Sequence, residues 1–274
     1  MIAQNAGSAT HYLPRIEGAR PADRWVAVDC GRLSGAGAVG DLDPDSEPSL
    51  GSVAKARPRE GQLVLAASWQ PAFCERRARV PECRGQTPGR PDARQFSLHG
   101  LWPQPIGKVY CGVGQPERAL SESGHWGRLP RLSLAPELRD SLAERMPGVL
   151  SHLDRHQWSK HGTCYGTDPN TYFSQALVLL DQLNRSSVRL LFESSIGGRL
   201  RATQVRQVFD QYFGPGAGER VRLVCDEAGL ITELRIGLKG PVGDDASLGA
   251  LIIAAPARGV GCRGGWVDRV GKGR

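Results

Sequence analysis

The run QLVLAASW at 62–69, apolar without a break from Leu63 to Ala67, is of strand length and predicts a buried strand. FSLHGLW at 96–102 predicts a second, closed by Pro103. Apolar spacing over 134–146 predicts a helix with Ser133 as its N-cap, and 154–163 a short one. Asp168 before Pro169 reads as a helix start. Phe173, Ala176, Leu177, Leu180 and Leu183 then recur at three and four, so a long helix follows. Thr203 caps a further helix bearing Val205, Val208, Phe209 and Tyr212. Two strands, 220–225 and 230–238, flank Asp226-Glu227-Ala228-Gly229, a hairpin turn. Strands and helices without a β-α-β rhythm predict an α+β domain with an antiparallel sheet packed by helices.

The pattern also divides the chain. Residues 32–60 are rich in Gly, Ser, Asp and Pro without apolar period and read as a flexible linker. Before it, alternation over Arg24–Gly31 suggests one strand, so 1–31 looks like a fragment of a small extra domain. The main body is 61–274. At 274 residues and 40% hydrophobic, the chain has enough apolar sequence for a sizeable core. No apolar run is long enough to span a bilayer, and the first thirty residues lack the apolar core of a secretory signal. Lys plus Arg number 35 against 28 Asp plus Glu, a net +7 that permits a polyanionic partner without naming one.

The candidate chemistry lies in two histidine segments, Ser97-Leu98-His99-Gly100-Leu101-Trp102-Pro103 and His156-Gln157-Trp158-Ser159-Lys160-His161-Gly162-Thr163-Cys164. On a helix, positions 156, 157, 160 and 161 share one face. Two imidazoles, an amide and an ammonium suit neither a buried core nor a plain solvated face. They suit an anion such as phosphate, and acid–base work near neutrality. His152 and His156 are four apart, as in a zinc helix, but Leu153 stands where that motif needs Glu.

His-Gly-Leu-Trp-Pro and Lys-His-Gly-Thr-Cys resemble the two active-site segments of the ribonuclease T2 family. Ser68-Trp69-Gln70-Pro71-Ala72-Phe73-Cys74 resembles its first core strand with the following Cys. Tyr165-Gly166 and the helix from Asp168 are similar to bacterial periplasmic, ribonuclease I-like members. The resemblance runs from about Gly61 to the C-terminus. It implies cleavage of single-stranded RNA by transesterification through a 2′,3′-cyclic phosphate, with no metal or other cofactor. DNA, lacking the 2′-OH nucleophile, is not cut. Carried over, His161 matches the general base, His99 the general acid and Lys160 the cation that stabilises the transition state. His156 matches the phosphate-binding histidine, and Trp102 an aromatic packing on the nucleotide, which implies low base specificity. Gln157 departs from the pattern, since the family usually has Glu there. Losing that charge should lower the histidine pKa values. The alternative function is a catalytically weakened RNA-binding protein of the same fold.

Seven cysteines remain to be placed. Without Cys30, six lie in the body and allow fifteen pairings. The resemblance implies Cys74 with Cys83, Cys111 with Cys164, and Cys225 with Cys262. Three bridges imply an oxidising compartment, so a periplasmic or secreted protein. Cys30 then has no partner, which suggests a natural start further upstream, with a signal peptide. No sign of an oligomer is present, so a monomer is expected.

Overall fold

The computed structural model describes residues 3–4, 11–13, 26–27, 61–243 and 245–271, in two units, Met1–Val53 and Ala54–Arg274. In the first unit β1 (Ala3–Gln4), β2 (His11–Leu13) and β3 (Val26–Ala27) form an antiparallel sheet in the order β1-β2-β3. The single strand expected near residue 26 is therefore the third of three. Residues 32–60 and Cys30 lie outside the described residues.

The second unit is built on an antiparallel sheet in the order β5-β4-β8-β7, formed by β4 (Gln62–Ser68), β5 (Ser97–Pro103), β7 (Val221–Cys225) and β8 (Ile231–Lys239). The turn from β7 to β8 is the expected one: Gly229 takes a positive φ, and Asp226 Oδ1 accepts the Leu230 N–H. A two-stranded ribbon, β6 (Arg199–Arg201) with β9 (Gly264–Trp266), lies outside this sheet. Its glycines and three-residue strands give no readable alternation.

The helices are α1 (Gln70–Glu75), α2 (Pro81–Arg84), α3 (Gln115–Glu122), α4 (Pro136–Arg145), α5 (Leu153–Lys160), α6 (Pro169–Asn184), α7 (Ser187–Ser194), α8 (Ala202–Phe213) and α9 (Leu248–Ile253). The side chain of Asp168 caps α6 by accepting the N–H groups of Asn170 and Thr171. The predicted stripe Phe173, Ala176, Leu177, Leu180 and Leu183 is buried, and α6 packs on β4 and β5. Two predicted caps are corrected. Helix α4 starts at Pro136, and the Ser133 carbonyl instead accepts a hydrogen bond from Asn170. Helix α8 starts at Ala202, so Thr203 lies inside it; the Gln204 side chain accepts the Arg201 N–H.

One face of the sheet is core: Leu63, Leu65 and Ala67 of β4, Leu98 and Leu101 of β5, and Leu234, Ile236 and Leu238 of β8 are all buried. The core continues through Trp69, Phe96 and Phe192, whose rings meet edge to face or tilted. Disulfides join Cys74 to Cys83, Cys111 to Cys164 and Cys225 to Cys262. The second fastens the loop after β5 to the turn after α5, reinforced by the Tyr110 N–H on the Lys160 carbonyl at 2.9 Å. It spans 53 residues of sequence. The double variant Cys111→Ser/Cys164→Ser should therefore lose about 4 kcal/mol of stability by the loop-closure relation. Urea unfolding measures it, and an unchanged midpoint would contradict the expectation.

Candidate active site

Strand β5 owes its chemistry to a β-bulge. Gly100 pairs with Ala66 and Leu98 with Ala67, so His99 is the extra residue between them. Without it, strict alternation would place Leu98 and Leu101 on opposite faces. With it, both face the core, while His99 and Trp102 share the other face. That face is the floor of a cavity of about 540 Å³, covered by α5 and lined by His99, Trp102, His156, Gln157, Lys160 and His161 among others. All six predicted site residues are thus brought together.

One glycine allows the close approach of β5 and α5, and a second the turn after α5. A Cβ at Gly100 would collide with the Gln157 side-chain oxygen and the Trp102 indole nitrogen, and a Cβ at Gly162 with the Trp158 ring. Gln157 is buried and accepts the Trp102 indole N–H through Oε1 at 2.9 Å. Trp102 is itself packed between residues of the site. Its ring stacks on His161 (centroids 5.3 Å apart), meets His99 edge-on (5.1 Å) and carries the Arg235 guanidinium 5.2 Å above it.

His156 stacks on Trp126 at 4.5 Å, and its Nδ1 lies 2.8 Å from Ser121 Oγ, which also accepts the Tyr110 hydroxyl. Burial pushes His156 down to about 4, and burial pushes His161 down to about 3, in each case helped by the charge of Lys160 and of the neighbouring imidazoles. Among the described residues no carboxylate lines the cavity with this trio. His161 Nδ1 is buried and finds no hydrogen-bond partner among the described residues.

His99 is different. Its Nδ1 lies 2.5 Å from Oε2 of Glu233, and Glu233 Oε1 accepts Arg235 Nε at 2.6 Å. A second cavity, about 920 Å³, opens on this side, lined by His99, Glu233, Arg235, Ser68, Arg76 and Trp126 among others. Arg258, also on the first cavity, is lowered by burial and by the charges of Arg222 and Arg235. His125 is exposed and bonded to Ser123 Oγ, and neither it nor His152 lines either cavity.

Sequence reasoning missed Glu233, Arg235 and Trp126. The alternation Glu233-Leu234-Arg235-Ile236 is visible, but it reads as a solvated strand face. Nothing in it says that Glu233 is 5% exposed.

A family model described as the Ribonuclease T2 family matches residues 60–244, more than half of the chain. The chain belongs to the ribonuclease T2 family. Among its relatives, "Ribonuclease I" of Escherichia coli (strain K12) is 29% identical over 201 residues, covering 65% of this chain and 75% of that protein. "Ribonuclease Rh" of Rhizopus niveus is 28% identical over 179 residues, covering 58% and 66%. The solved structure of trichomaglin, described as a novel S-like ribonuclease, aligns at TM-score 0.46 with 19% identity, covering 78% of this chain and all of that one.

The neutral histidines have a thermodynamic consequence. The folded values of His156 and His161 lie below the 6.5 of an ordinary imidazole, so between about 4 and 6.5 the unfolded chain binds more protons. Their contribution to stability is complete above 6.5 and is lost as pH falls toward 4. Unfolding free energies measured by urea from pH 4.5 to 7 should rise with pH, and His161→Gln should flatten that rise. Identical slopes would show that His161 titrates normally.

Proposed function

We propose that this T2-family member is an endoribonuclease that cleaves single-stranded RNA by metal-independent transesterification. The observation that carries this is the convergence of His99, His156, Lys160 and His161 on one cavity, with the imidazoles in unlike surroundings. A base must be neutral to take a proton, and His161, buried among cations, is neutral. It removes the ribose 2′-OH proton, and the 2′-oxygen attacks the adjacent phosphorus. Lys160 and His156 face the phosphate, and Lys160 stabilises the charge on the pentavalent phosphorane. His99 gives its proton to the departing 5′-oxygen as the P–O5′ bond breaks, leaving a 2′,3′-cyclic phosphate.

The two cavities support this division. His161 and Lys160 line only the first, whereas His99 lines both. A strand crossing from one to the other presents its phosphate beside His161 and its leaving nucleoside beyond His99. Arg235 and Arg258 add positive charge along that path, as a polyanionic substrate requires. Trp102 supports His161 as well as flanking the nucleotide. Three disulfides favour an oxidising location, periplasmic or outside the cell. Among the described residues no helix is long and apolar enough to cross a membrane.

Product analysis on CpA in excess EDTA tests the reading. Cytidine 2′,3′-cyclic phosphate and adenosine should appear, and the 2′-deoxy analogue should be inert. No turnover of CpA or of RNA, or turnover that EDTA abolishes, would overturn it.

Gln157 yields a second expectation. A carboxylate at 157 would favour the charged forms of the neighbouring imidazoles, so Gln157→Glu should move the acid limb of kcat/KM to higher pH. In the unsubstituted enzyme that limb should fall at acid pH, since the free-enzyme base titrates near 3. A limb that stays in place would disconnect Gln157 from the base.

A further inference from the structure

Glu233 is a buried carboxylate in direct contact with His99, and the reaction above does not use it. Burying a carboxylate is costly unless it is paired. Here each oxygen has its own partner: Oε2 meets His99 Nδ1 at 2.5 Å, and Oε1 meets Arg235 Nε at 2.6 Å. Burial works to raise the carboxyl, but the hydrogen bonds and charges of His99 and Arg235 outweigh it and hold Glu233 below its ordinary value.

The contact is built by the sheet. His99 stands on β5 and Glu233 on β8, with β4 between them. It spans β4 because His99 is the bulged residue and because β4 offers only the small side chains of Ala66 and Ser68 on that face beside the bulge. An ion pair of Glu233 with Arg235 alone would satisfy one oxygen and would need neither the bulge nor these small residues.

We infer that Glu233 is the positioning carboxylate of His99, an assignment that rests on the ribonuclease reading and adds a residue to it. By accepting the Nδ1–H it fixes the ring plane and leaves the acidic proton on Nε2. Nε2 makes no hydrogen bond to another described residue and is the nitrogen available to the substrate. Arg235 holds Glu233 in turn. Lys160 and the imidazoles of His156 and His161 face His99 from the end of α5, and all three are basic. Arg76, Arg77, Glu82, Asp226 and Glu227 line the second cavity with it, and among the described residues Glu233 is the carboxylate in hydrogen-bond contact with the His99 ring. When the Nε2 proton passes to the 5′-oxygen, which keeps the electron pair of the broken P–O bond, His99 remains bonded to Glu233 through Nδ1–H. Glu233 touches no reacting atom.

The test separates acid catalysis from simple folding by changing the leaving group. CpA expels an alkoxide, which needs a proton. The 4-nitrophenyl ester of uridine 3′-phosphate expels a phenolate, which does not. Glu233→Gln should lower kcat on CpA by on the order of 10²-fold, with KM unchanged, and leave kcat on the nitrophenyl ester intact. His99→Ala should show the same split. Glu233→Asp keeps the negative charge but withdraws the carboxylate from His99 by one methylene, and carries the same test should the Gln variant fail to fold. Equal loss on both substrates would make Glu233 a structural residue, and full CpA activity in the variants would remove any role; either overturns the inference. An unsubstituted protein that cleaves neither substrate would instead defeat the ribonuclease reading, and the inference with it.

Discussion

One extra residue in an edge strand organises the second unit. In SLHGLWP the core needs Leu98 and Leu101, three apart, on the same side of a sheet whose side chains alternate every residue. Those demands conflict unless one residue leaves the ladder, and His99 is that residue. The bulge sets two spacings of three at once: Leu98 with Leu101 into the core, His99 with Trp102 into the cleft. Core packing and site geometry are therefore not separable here. A change that removed the bulge would turn either the leucines or the histidine–tryptophan pair to the wrong face. The opposite wall depends on the same approach. Gly100 lets the Gln157 amide reach the Trp102 indole, and Gly162 lets the chain turn under Trp158.

Much of this was legible as residues, and less as directions. The apolar runs and the 3.6-residue stripe located β4, β5, β7, β8 and α6, because those elements bury most of their apolar positions in the core. Caps were less legible. Ser133 and Thr203 are good capping residues, but Pro136 and the Arg201–Gln204 contact define the actual starts. A favourable cap contributes only about 1 kcal/mol, which the packing of neighbouring turns can override. The His segments were visible because their residue types are incompatible with an ordinary helix face. Glu233 was not, since it lies 134 residues from His99 and its strand pattern is that of a solvent-facing ribbon. Its meaning arises only from register: Ser68 opposite Glu233 and Ala66 opposite Arg235 bring the polar positions of β8 under the bulge.

The electrostatics of the cleft follow from where carboxylates are absent. In most proteins a cluster of two imidazoles and a lysine would recruit Asp or Glu, and the resemblance that introduced these residues leads one to expect Glu at 157. Gln157 supplies an equivalent acceptor for the indole N–H without the charge. The structural half of the job is kept and the electrostatic half is dropped. Burial, aided by the uncompensated charge of Lys160 and the neighbouring imidazoles, is why both imidazoles on that side fall below 6.5. The Cys111–Cys164 bridge and the Tyr110–Lys160 hydrogen bond hold that end of α5 in place.

The same absence sharpens the division of labour. An acid–base pair works best when its two members prefer opposite protonation states, and identical side chains can do so only through unlike surroundings. Here the two imidazoles have them. His161 has cations and a buried, unpartnered Nδ1, so adding a proton to it is opposed. His99 has a carboxylate at hydrogen-bond distance, so its Nδ1 has the acceptor that His161 lacks. A carboxylate at 157 would have blurred this contrast by supporting charge on both sides of Trp102. With Gln at 157 and Glu at 233, the carboxylate contact among the described residues lies on the acid's side. The polarity of proton flow, from the 2′-OH toward the 5′-oxygen, is thus written into which histidine was given a carboxylate and which was denied one.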